Sequence, residues 1–276
     1  MSGLDHVRRT SSLTQEGLSM EQQWSENAAR TLVDLRRTNE PTTVTWFNHH
    51  TLQVTVKEGV ELSKFDYIGL DGSFLRSLVA PDMTRTSADL MLPKLIDQMG
   101  QGCRIGLIGS TPEQLKAARE VIESWSTQPE VVLAVDGYYG FSDHEAVTRQ
   151  VKDARLDILI LGLGAPLQDK WALTFKERCP NVRLIITCGG WIDQISQPTY
   201  YPSFAYKLRL NWLIRVAREP QRLWRRYTVE AIKAARVRGQ LRTALLAEGA
   251  DGVRAMEQAS RGSTIDLTAL EDRRSV

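Results

Sequence analysis

Short apolar runs alternate with helical patterns through the middle of the chain, and this rhythm restricts the fold more than any other feature. Six runs of four or five residues lie at 44–47, 67–70, 104–108, 131–135, 158–161 and 184–187. Helical patterns lie at 51–62, 88–99, 111–125, 143–154 and 168–178. Strands that alternate with helices form a largely parallel sheet covered on both faces. The sequence therefore predicts an α/β fold.

The composition divides the chain into four segments. Residues 1–40 are polar, with a helical pattern at 21–37, and are predicted to be a loosely docked leader. Residues 41–203 are the predicted α/β core, 204–247 a basic amphipathic helical appendage and 248–276 a polar tail. A chain of 276 residues that is 42% hydrophobic can bury its core in one domain.

The cysteines and histidines do not predict a metal site. Cys103, Cys179 and Cys188 are far apart without a C-x-x-C pair, and the four histidines form no H-x-x-x-H pair. Unpaired cysteines suit a reducing compartment. No apolar run approaches the roughly 20 residues that span a bilayer, and the polar opening lacks the apolar centre of a secretion signal. We therefore expect the protein inside the cell.

The charge is concentrated near the end of the predicted core. The net charge is +2, but residues 207–242 carry +9, which leaves −7 for the rest of the chain. Within this segment Leu208, Trp212 and Val216 share a helical face, and Pro220 breaks the pattern. Basic helices rich in aromatic residues are typical of membrane surfaces, and their arginines could clamp a diphosphate. A solvated basic face and an oligomer interface remain alternatives, whereas the acidic remainder argues against nucleic acid.

The loops after the predicted strands contain most of the candidate site residues, because ligands of such folds bind beyond the carboxyl ends of the strands. The stretch LDILILGLGAPLQDKW at 156–171 predicts a buried strand, a glycine turn and a helix. Backbone N–H groups and a helix N-terminus at such a turn favour a phosphorylated ligand. A tight turn without a ligand accounts for the same glycines. The polar or glycine positions in the six loops are Asn48, Asp71-Gly72, Gly109-Ser110, 136–138, 162–168 and Gly189-Gly190.

Two of these loops suggest specific chemistry. Asp71 can act as a general base if it reaches a substrate hydroxyl, although an Asp-Gly turn has the same sequence. The segment IGLIGSTP at 105–112 resembles half of a nucleotide-binding turn, but it is not G-x-G-x-x-G. No acidic residue is suitably placed for a ribose. An NAD-dependent oxidoreductase is therefore a weak alternative.

Residues 43–227 also resemble the WecG/TagA/CpsF glycosyltransferase family, which builds bacterial surface polysaccharides and teichoic acid linkage units. The matching blocks occur in order: TWFNHH with Asn48, Asp71-Gly72, Arg85 with Asp89-Leu90, LIGSTP, Asp136-Gly137-Tyr138-Tyr139, LGLGAPLQDKW, CGGWID and residues 211–227. The resemblance implies a Rossmann-like, inverting enzyme. Such an enzyme moves a sugar from a UDP-sugar to an undecaprenyl-diphosphate-linked sugar, without a metal or other cofactor, at the inner face of the cell membrane.

The resemblance also implies roles for individual residues. Asp71 matches the catalytic base, with Asn48 and Gln168 as polar neighbours, while the arginines of the appendage approach the diphosphate and hold the protein against an anionic membrane. The implied substrate-binding residues are Asn48, Arg85, Gly109, Tyr138, Gly164, Gln168, Arg215, Arg222 and Arg225.

Two departures from the family pattern affect specificity. Tyr200-Tyr201-Pro202 stands where the family usually has Arg-Ala-Pro, and Asn211 stands where it often has Glu. The first change favours a neutral hexose donor in an exopolysaccharide pathway. A membrane-associated scaffold without catalysis is the alternative from another functional class, and homo-oligomerisation is left open.

Overall fold

The computed structural model describes residues 19–35, 40–138, 140–196 and 226–262. They contain a six-stranded sheet in the order β2-β1-β6-β5-β3-β4, in which every pairing is parallel. This arrangement confirms the predicted α/β, Rossmann-like class. The strands are β1 (Thr42–Phe47), β2 (Tyr67–Leu70), β3 (Arg104–Gly109), β4 (Glu130–Val135), β5 (Ile158–Gly162) and β6 (Leu184–Thr187).

Eleven α-helices surround this sheet among the described residues. They are α1 (Met20–Leu35), α2 (His49–Lys57), α3 (Ser73–Val79), α4 (Ala88–Met99), α5 (Pro112–Glu123), α6 (His144–Asp153), α7 (Leu167–Arg178), α8 (Trp191–Ile195), α9 (Ala231–Arg236), α10 (Arg238–Thr243) and α11 (Ala250–Arg261). Helices α3 and α8 were not predicted, because seven and five residues are too few to establish a helical period. Helix α11 was not predicted either, because its buried residues are spaced one turn apart within the polar composition of residues 248–276.

The helices bury both faces of the sheet. In β5, Ile158 and Ile160 pack with the α1 and α4 side, whereas Leu159 and Leu161 pack with Phe175 of α7 on the other side. Side chains of a strand alternate between faces, so continuous apolar runs such as ILIL require cover on both.

Helix α1 belongs to the packed core. Ala28, Ala29 and Leu32 are completely buried. Lys94 Nζ of α4 lies 2.8 Å from Glu26 Oε2 of α1. The prediction of a loosely docked leader is therefore wrong for this helix, because small apolar residues one turn apart give it a buried stripe within a polar composition. The boundaries of the four predicted segments remain predictions.

The C-terminal helices return to the core. Residues 226–230 form a π-helical turn ahead of α9 and α10, and α11 buries Val253, Met256 and Ala259. Gly252 is needed for close packing, because a Cβ there would lie 2.8 Å from the Phe65 carbonyl oxygen. Helix α11 thus lies directly over β2. The aromatic helices predicted within 208–227 lie outside the described residues, except for residues 226 and 227.

Candidate active site

The carboxyl ends of all six strands meet at one edge of the sheet, which we call the rim. Following the strand order, the rim carries Asp71, Asn48, Gly189, Gly164 and Ser110, and Asp136 closes it. Neighbouring strands are about 4.8 Å apart, so about 14 Å separates the end of β2 from the end of β5. The rim is long enough to contact an extended ligand at several points.

Asp71 lies at one end of this rim, directly after β2. Its backbone N–H donates to the Phe47 carbonyl oxygen at 2.9 Å, which holds the start of the loop against β1. Gly72 follows with φ +91°, a conformation that favours glycine, and α3 begins at Ser73. A Cβ on Gly72 would lie 3.8 Å from Cβ of Asn48. The turn therefore brings the predicted base and the predicted polar neighbour together.

Arg85 is electrostatically coupled to Asp71. Its Nη1 donates to Glu21 of α1 at 2.7 Å. Burial is the largest influence on the pKa of Arg85 and lowers it, but the charges of Asp71 and Glu21 outweigh burial, so this pKa is raised. The Nε–H is buried and has no hydrogen-bond partner among the described residues. The guanidinium therefore stays charged and keeps one buried N–H donor that no described residue uses.

Asn48 and Gln168 use their side-chain oxygens to hold the rim loops. Asn48 Oδ1 accepts from the N–H groups of His50 and Thr51 at 3.0 and 3.1 Å and caps α2, which therefore begins at His49 and not at residue 51. Gln168 Oε1 accepts from the Gly189 N–H at 3.2 Å, and its side chain is buried. A ligand contact from either side chain would therefore come from its amide nitrogen.

The end of β3 is packed tightly against the end of β5. Gly109 has φ +135°, and a Cβ there would lie 2.5 Å from the Gly162 carbonyl oxygen. Ser110 follows with φ +62°, its Oγ bonded to Gln114 at 2.8 Å and also contacting the Asp193 carboxylate. The absence of a side chain at position 109 thus lets the end of β3 pack against the end of β5 at the rim.

The rim is open at Tyr138 and Gly164. The Asp136 carboxylate accepts from the N–H groups of Tyr138 at 3.1 Å and Gly140 at 2.8 Å, which shapes the turn after β4. Tyr138 is 69% exposed, and no atom of another described residue, the chain neighbours aside, lies within 4 Å of the position of a Cβ on Gly164. Both predicted residues are therefore accessible from solvent. A cavity of about 580 Å³ beside the amino ends of β5 and β6 contains none of the predicted site residues.

A buried carboxyl group that sequence reasoning missed lies beneath the rim. Asp169 of α7 is 1% exposed and accepts from Thr45 Oγ1 of β1 at 3.1 Å and Thr55 Oγ1 of α2 at 2.9 Å. Thr45 Oγ1 is in turn 2.8 Å from Thr187 Oγ1 of β6. The group joins the elements that bear Asn48, Gln168 and Gly189. An acid in the first turn of a helix is usually a surface residue, so nothing in the local sequence indicated this burial.

The buried Asp169 predicts a specific dependence of stability on pH. Burial raises its pKa to about 6, above the ordinary 3.8, although the threonine hydrogen bonds lower it. The unfolded chain therefore releases this proton at lower pH than the folded protein does. The protonated Asp169 stabilises the folded state at low pH, and this contribution to the free energy of unfolding is lost between pH 4 and 7. Relative to Asp169→Asn, the wild-type free energy of unfolding should fall by about 3 kcal/mol over this interval. Urea denaturation of both proteins at each pH measures it, and parallel curves would contradict it.

The described part of the basic segment 207–242 contacts the helix that follows Asn48. Arg215, Arg222 and Arg225 lie outside the described residues. Further along the segment, the Glu230 carboxylate lies 2.6 Å from His50 Nδ1. The Glu230 carbonyl oxygen accepts from Gln53 Nε2 at 3.2 Å. Both partners lie on α2, so Glu230 lies beside the helix that Asn48 caps.

Residues 19–35, 40–138, 140–196 and 226–262 contain neither a membrane-spanning helix nor a metal cluster. No helix in these ranges is both long and apolar enough to pass through a bilayer. They contain no cluster of three or more metal-binding side chains. Burial raises the pKa of the Cys188 thiol at the rim to about 12. That thiol therefore stays protonated, which makes it a poor nucleophile.

The fold and the rim define a Rossmann-like α/β protein with a polar site at the carboxyl edge of its sheet. A model of the glycosyl transferase WecG/TagA/CpsF family matches residues 16–244, which is most of the chain. The chain therefore belongs to this family, as its sequence blocks predicted.

Similar proteins with assigned activities are named as transferases of lipid-linked sugars. A UDP-Gal:alpha-D-GlcNAc-diphosphoundecaprenol beta-1,4-galactosyltransferase of Shigella boydii is 29% identical over 169 residues, covering 58% of this chain and 71% of that protein. An N-acetylglucosaminyldiphosphoundecaprenol N-acetyl-beta-D-mannosaminyltransferase of Bacillus subtilis (strain 168) is 29% identical over 124 residues, 45% of this chain and 47% of that protein. A protein of the same name in Staphylococcus aureus (strain MW2) is 22% identical over 123 residues, which cover 44% of this chain and 47% of that protein. The match to the mannosaminyltransferases thus spans about half of their length.

Proposed function

We propose that this protein is an inverting glycosyltransferase that moves a hexose or N-acetylhexosamine from a UDP-sugar to an undecaprenyl-diphosphate-linked sugar. The observation that carries the proposal is the placement of Asp71 at the rim, next to Asn48 and coupled to the charged Arg85. The names of the relatives support the acceptor, because each contains an N-acetylglucosamine linked through a diphosphate to undecaprenol.

Asp71 is the proposed general base. Its carboxylate removes the proton of the acceptor hydroxyl while that oxygen attacks the anomeric carbon of the donor. A new C–O bond forms as the bond to UDP breaks, and UDP leaves with the electron pair. Attack from the face opposite the leaving group inverts the anomeric centre. Arg85, whose guanidinium stays charged, is proposed to bind substrate close to this base.

The departing UDP gains negative charge, which the protein has to stabilise. Backbone N–H groups at the glycine turns around Gly109 and Gly164, together with Arg215, Arg222 and Arg225, are proposed to do so without a metal ion. Tyr138 and Gln168 are proposed to contact the donor from the loops after β4 and β5. Support for the arginine contribution comes from Glu230, a residue of the same basic segment, whose contacts with α2 place it beside the helix that Asn48 caps.

A peripheral position on the inner membrane surface follows from the proposed acceptor. The undecaprenyl chain keeps the acceptor in the bilayer, so the enzyme has to work at the interface. The +9 charge of residues 207–242 matches an anionic surface, which attracts each nearby basic residue by about 1 kcal/mol.

The donor is proposed to be a neutral hexose used in exopolysaccharide synthesis. Tyr200-Tyr201 in place of the usual Arg-Ala is the sequence feature behind this choice. The galactosyltransferase relative supports it, since that match covers 71% of the relative against 47% for the mannosaminyltransferases.

A transfer assay with a panel of donors tests the proposal. Purified protein is given radiolabelled UDP-galactose, UDP-glucose, UDP-N-acetylglucosamine or UDP-N-acetylmannosamine, with N-acetylglucosaminyl-diphosphoundecaprenol in vesicles. We expect transfer from one neutral hexose, with faster turnover in vesicles containing phosphatidylglycerol than in neutral vesicles. No turnover with any donor or related lipid-linked acceptor would favour the scaffold alternative. Equal turnover in both vesicle types would contradict the role of surface charge.

A further inference from the structure

The segment that carries Arg85 depends on tertiary contacts for its shape. Residues 80–87 connect α3 to α4 and contain no helix or strand. Trp46 Nε1 donates to Thr86 Oγ1 at 3.1 Å, and Arg242 of α10 donates to the Val79 carbonyl oxygen at 2.9 Å just before the segment. Without regular backbone hydrogen bonding, such contacts fix the backbone from which the Arg85 side chain extends, while Glu21 of α1 binds its guanidinium directly.

Glu257 of α11 makes the closest pair of polar contacts with this segment. Its Oε2 accepts from both the Thr84 N–H at 2.8 Å and Thr84 Oγ1 at 2.7 Å, and Thr84 is only 4% exposed. Arg261 donates to the other oxygen of Glu257 at 2.7 Å and to the Asp82 carbonyl oxygen at 3.2 Å. Helix α11 therefore holds the residue next to Arg85 by its backbone and its side chain.

The same helix is fixed to the strand that ends at Asp71. Gly252 sits so close to Phe65 and Ile68 that a Cβ would lie within 3 Å of an atom of either residue. Met256 and Ala259 are buried in the core, and Asn27 of α1 donates to the Ser260 carbonyl oxygen at 3.0 Å. Helix α11 thus contacts both β2, which leads to Asp71, and the segment that bears Arg85.

We propose that Glu257 is a positioning residue that sets the Arg85 guanidinium relative to the Asp71 carboxylate, so that α11 takes part in building the active site. This proposal rests on the proposed function, in which Asp71 is the base. Helix α11 lies beyond residue 244, where the match to the family model ends. The proposal therefore assigns a contribution to catalysis to a part of the chain outside that match.

Glu257→Ala in the full-length protein tests the role with UDP-hexose and the vesicle-bound acceptor. We expect kcat to fall about tenfold, since a charged hydrogen-bond partner of a buried segment is lost, while KM for the UDP-sugar changes less than twofold. Because a nearby guanidinium favours an ionised carboxylate, the acidic limb of the kcat–pH profile should move up by about half a pH unit. Glu257→Gln, which still accepts from the Thr84 N–H, should retain most of the activity.

Two further variants keep the test decisive. Thr84→Val removes the hydroxyl donor to Glu257 and keeps the shape of the side chain, so kcat should fall about threefold. This variant decides the question if Glu257→Ala does not fold. Arg254→Ala removes an exposed side chain of the same helix and should behave as wild type. Wild-type kcat and pH profiles in Glu257→Ala and Thr84→Val would overturn the positioning role. So would equal losses in Glu257→Ala and Glu257→Gln without a shift of the acidic limb.

The failure of this inference is distinguishable from the failure of the proposed function. If Asp71→Asn abolishes transfer while the Glu257 variants match the wild type, only the positioning role is wrong. If Asp71→Asn leaves transfer intact, the base assignment on which the inference rests is itself wrong.

Discussion

Asp71→Asn should lower the rate of sugar transfer by about 10²- to 10⁴-fold while leaving the affinity for UDP and the melting temperature near their wild-type values. The amide has almost the same shape as the carboxylate, so the turn after β2 and its hydrogen bond to Phe47 are retained. Only the capacity to accept the proton of the acceptor hydroxyl is lost. Initial rates with the preferred UDP-sugar, and UDP titration by calorimetry, give the two quantities.

Asp97→Asn is the matched control, because it removes an exposed carboxylate from α4 without affecting the rim. It should retain wild-type transfer. Retention of most of the activity in Asp71→Asn would exclude the base role. A parallel loss of UDP affinity would assign Asp71 to donor binding and not to proton transfer.

Gly109→Ala should cause the largest loss of stability among the variants considered, about 3 kcal/mol or more. The added Cβ would lie 2.5 Å from the Gly162 carbonyl oxygen, and backbone atoms of a central strand cannot move aside as a flexible side chain can. The φ of +135° adds backbone strain for any residue with a Cβ. The free energy of unfolding from urea denaturation measures the effect.

Gly59→Ala separates strain from steric overlap. Gly59 also has a positive φ, +67°, but within the described part of the chain no atom beyond its two neighbours lies within 4 Å of the position of a Cβ there. It should cost only about 1–2 kcal/mol. If the two alanine variants lose the same free energy of unfolding, the close approach of β3 and β5 is not what requires glycine at position 109.

The pattern of apolar runs was sufficient to predict the sheet, because a strand that is buried on both faces needs apolar residues at successive positions. All six predicted runs lie within strands of the parallel sheet. Helix ends were predicted less well, since they depend on single contacts. Asn48 starts α2 two residues before the predicted position, and the helix ends at Lys57 because Glu58 and Gly59 leave the helical conformation.

The sequence blocks placed Asp71, Asn48 and Gln168 at one edge of the sheet, as the parallel order requires. They did not predict that Asn48 and Gln168 would use their oxygens to cap a helix and to hold Gly189. Nor did they indicate Asp169 or Glu257, whose threonine partners are more than 100 residues away in the chain. A carboxylate on a helix has the same local sequence whether it faces water or a buried threonine.

The sequence by itself determined the α/β class, the rim and the family, because periodicity and the order of short motifs are properties of neighbouring residues. Only the tertiary structure decided which acids are buried and that α1 and α11 pack into the core. It also decided that the charges of both Asp71 and Glu21 act on Arg85. Burial and electrostatic coupling depend on distances between segments remote in sequence, and these distances exist only once the sheet and its helices are assembled.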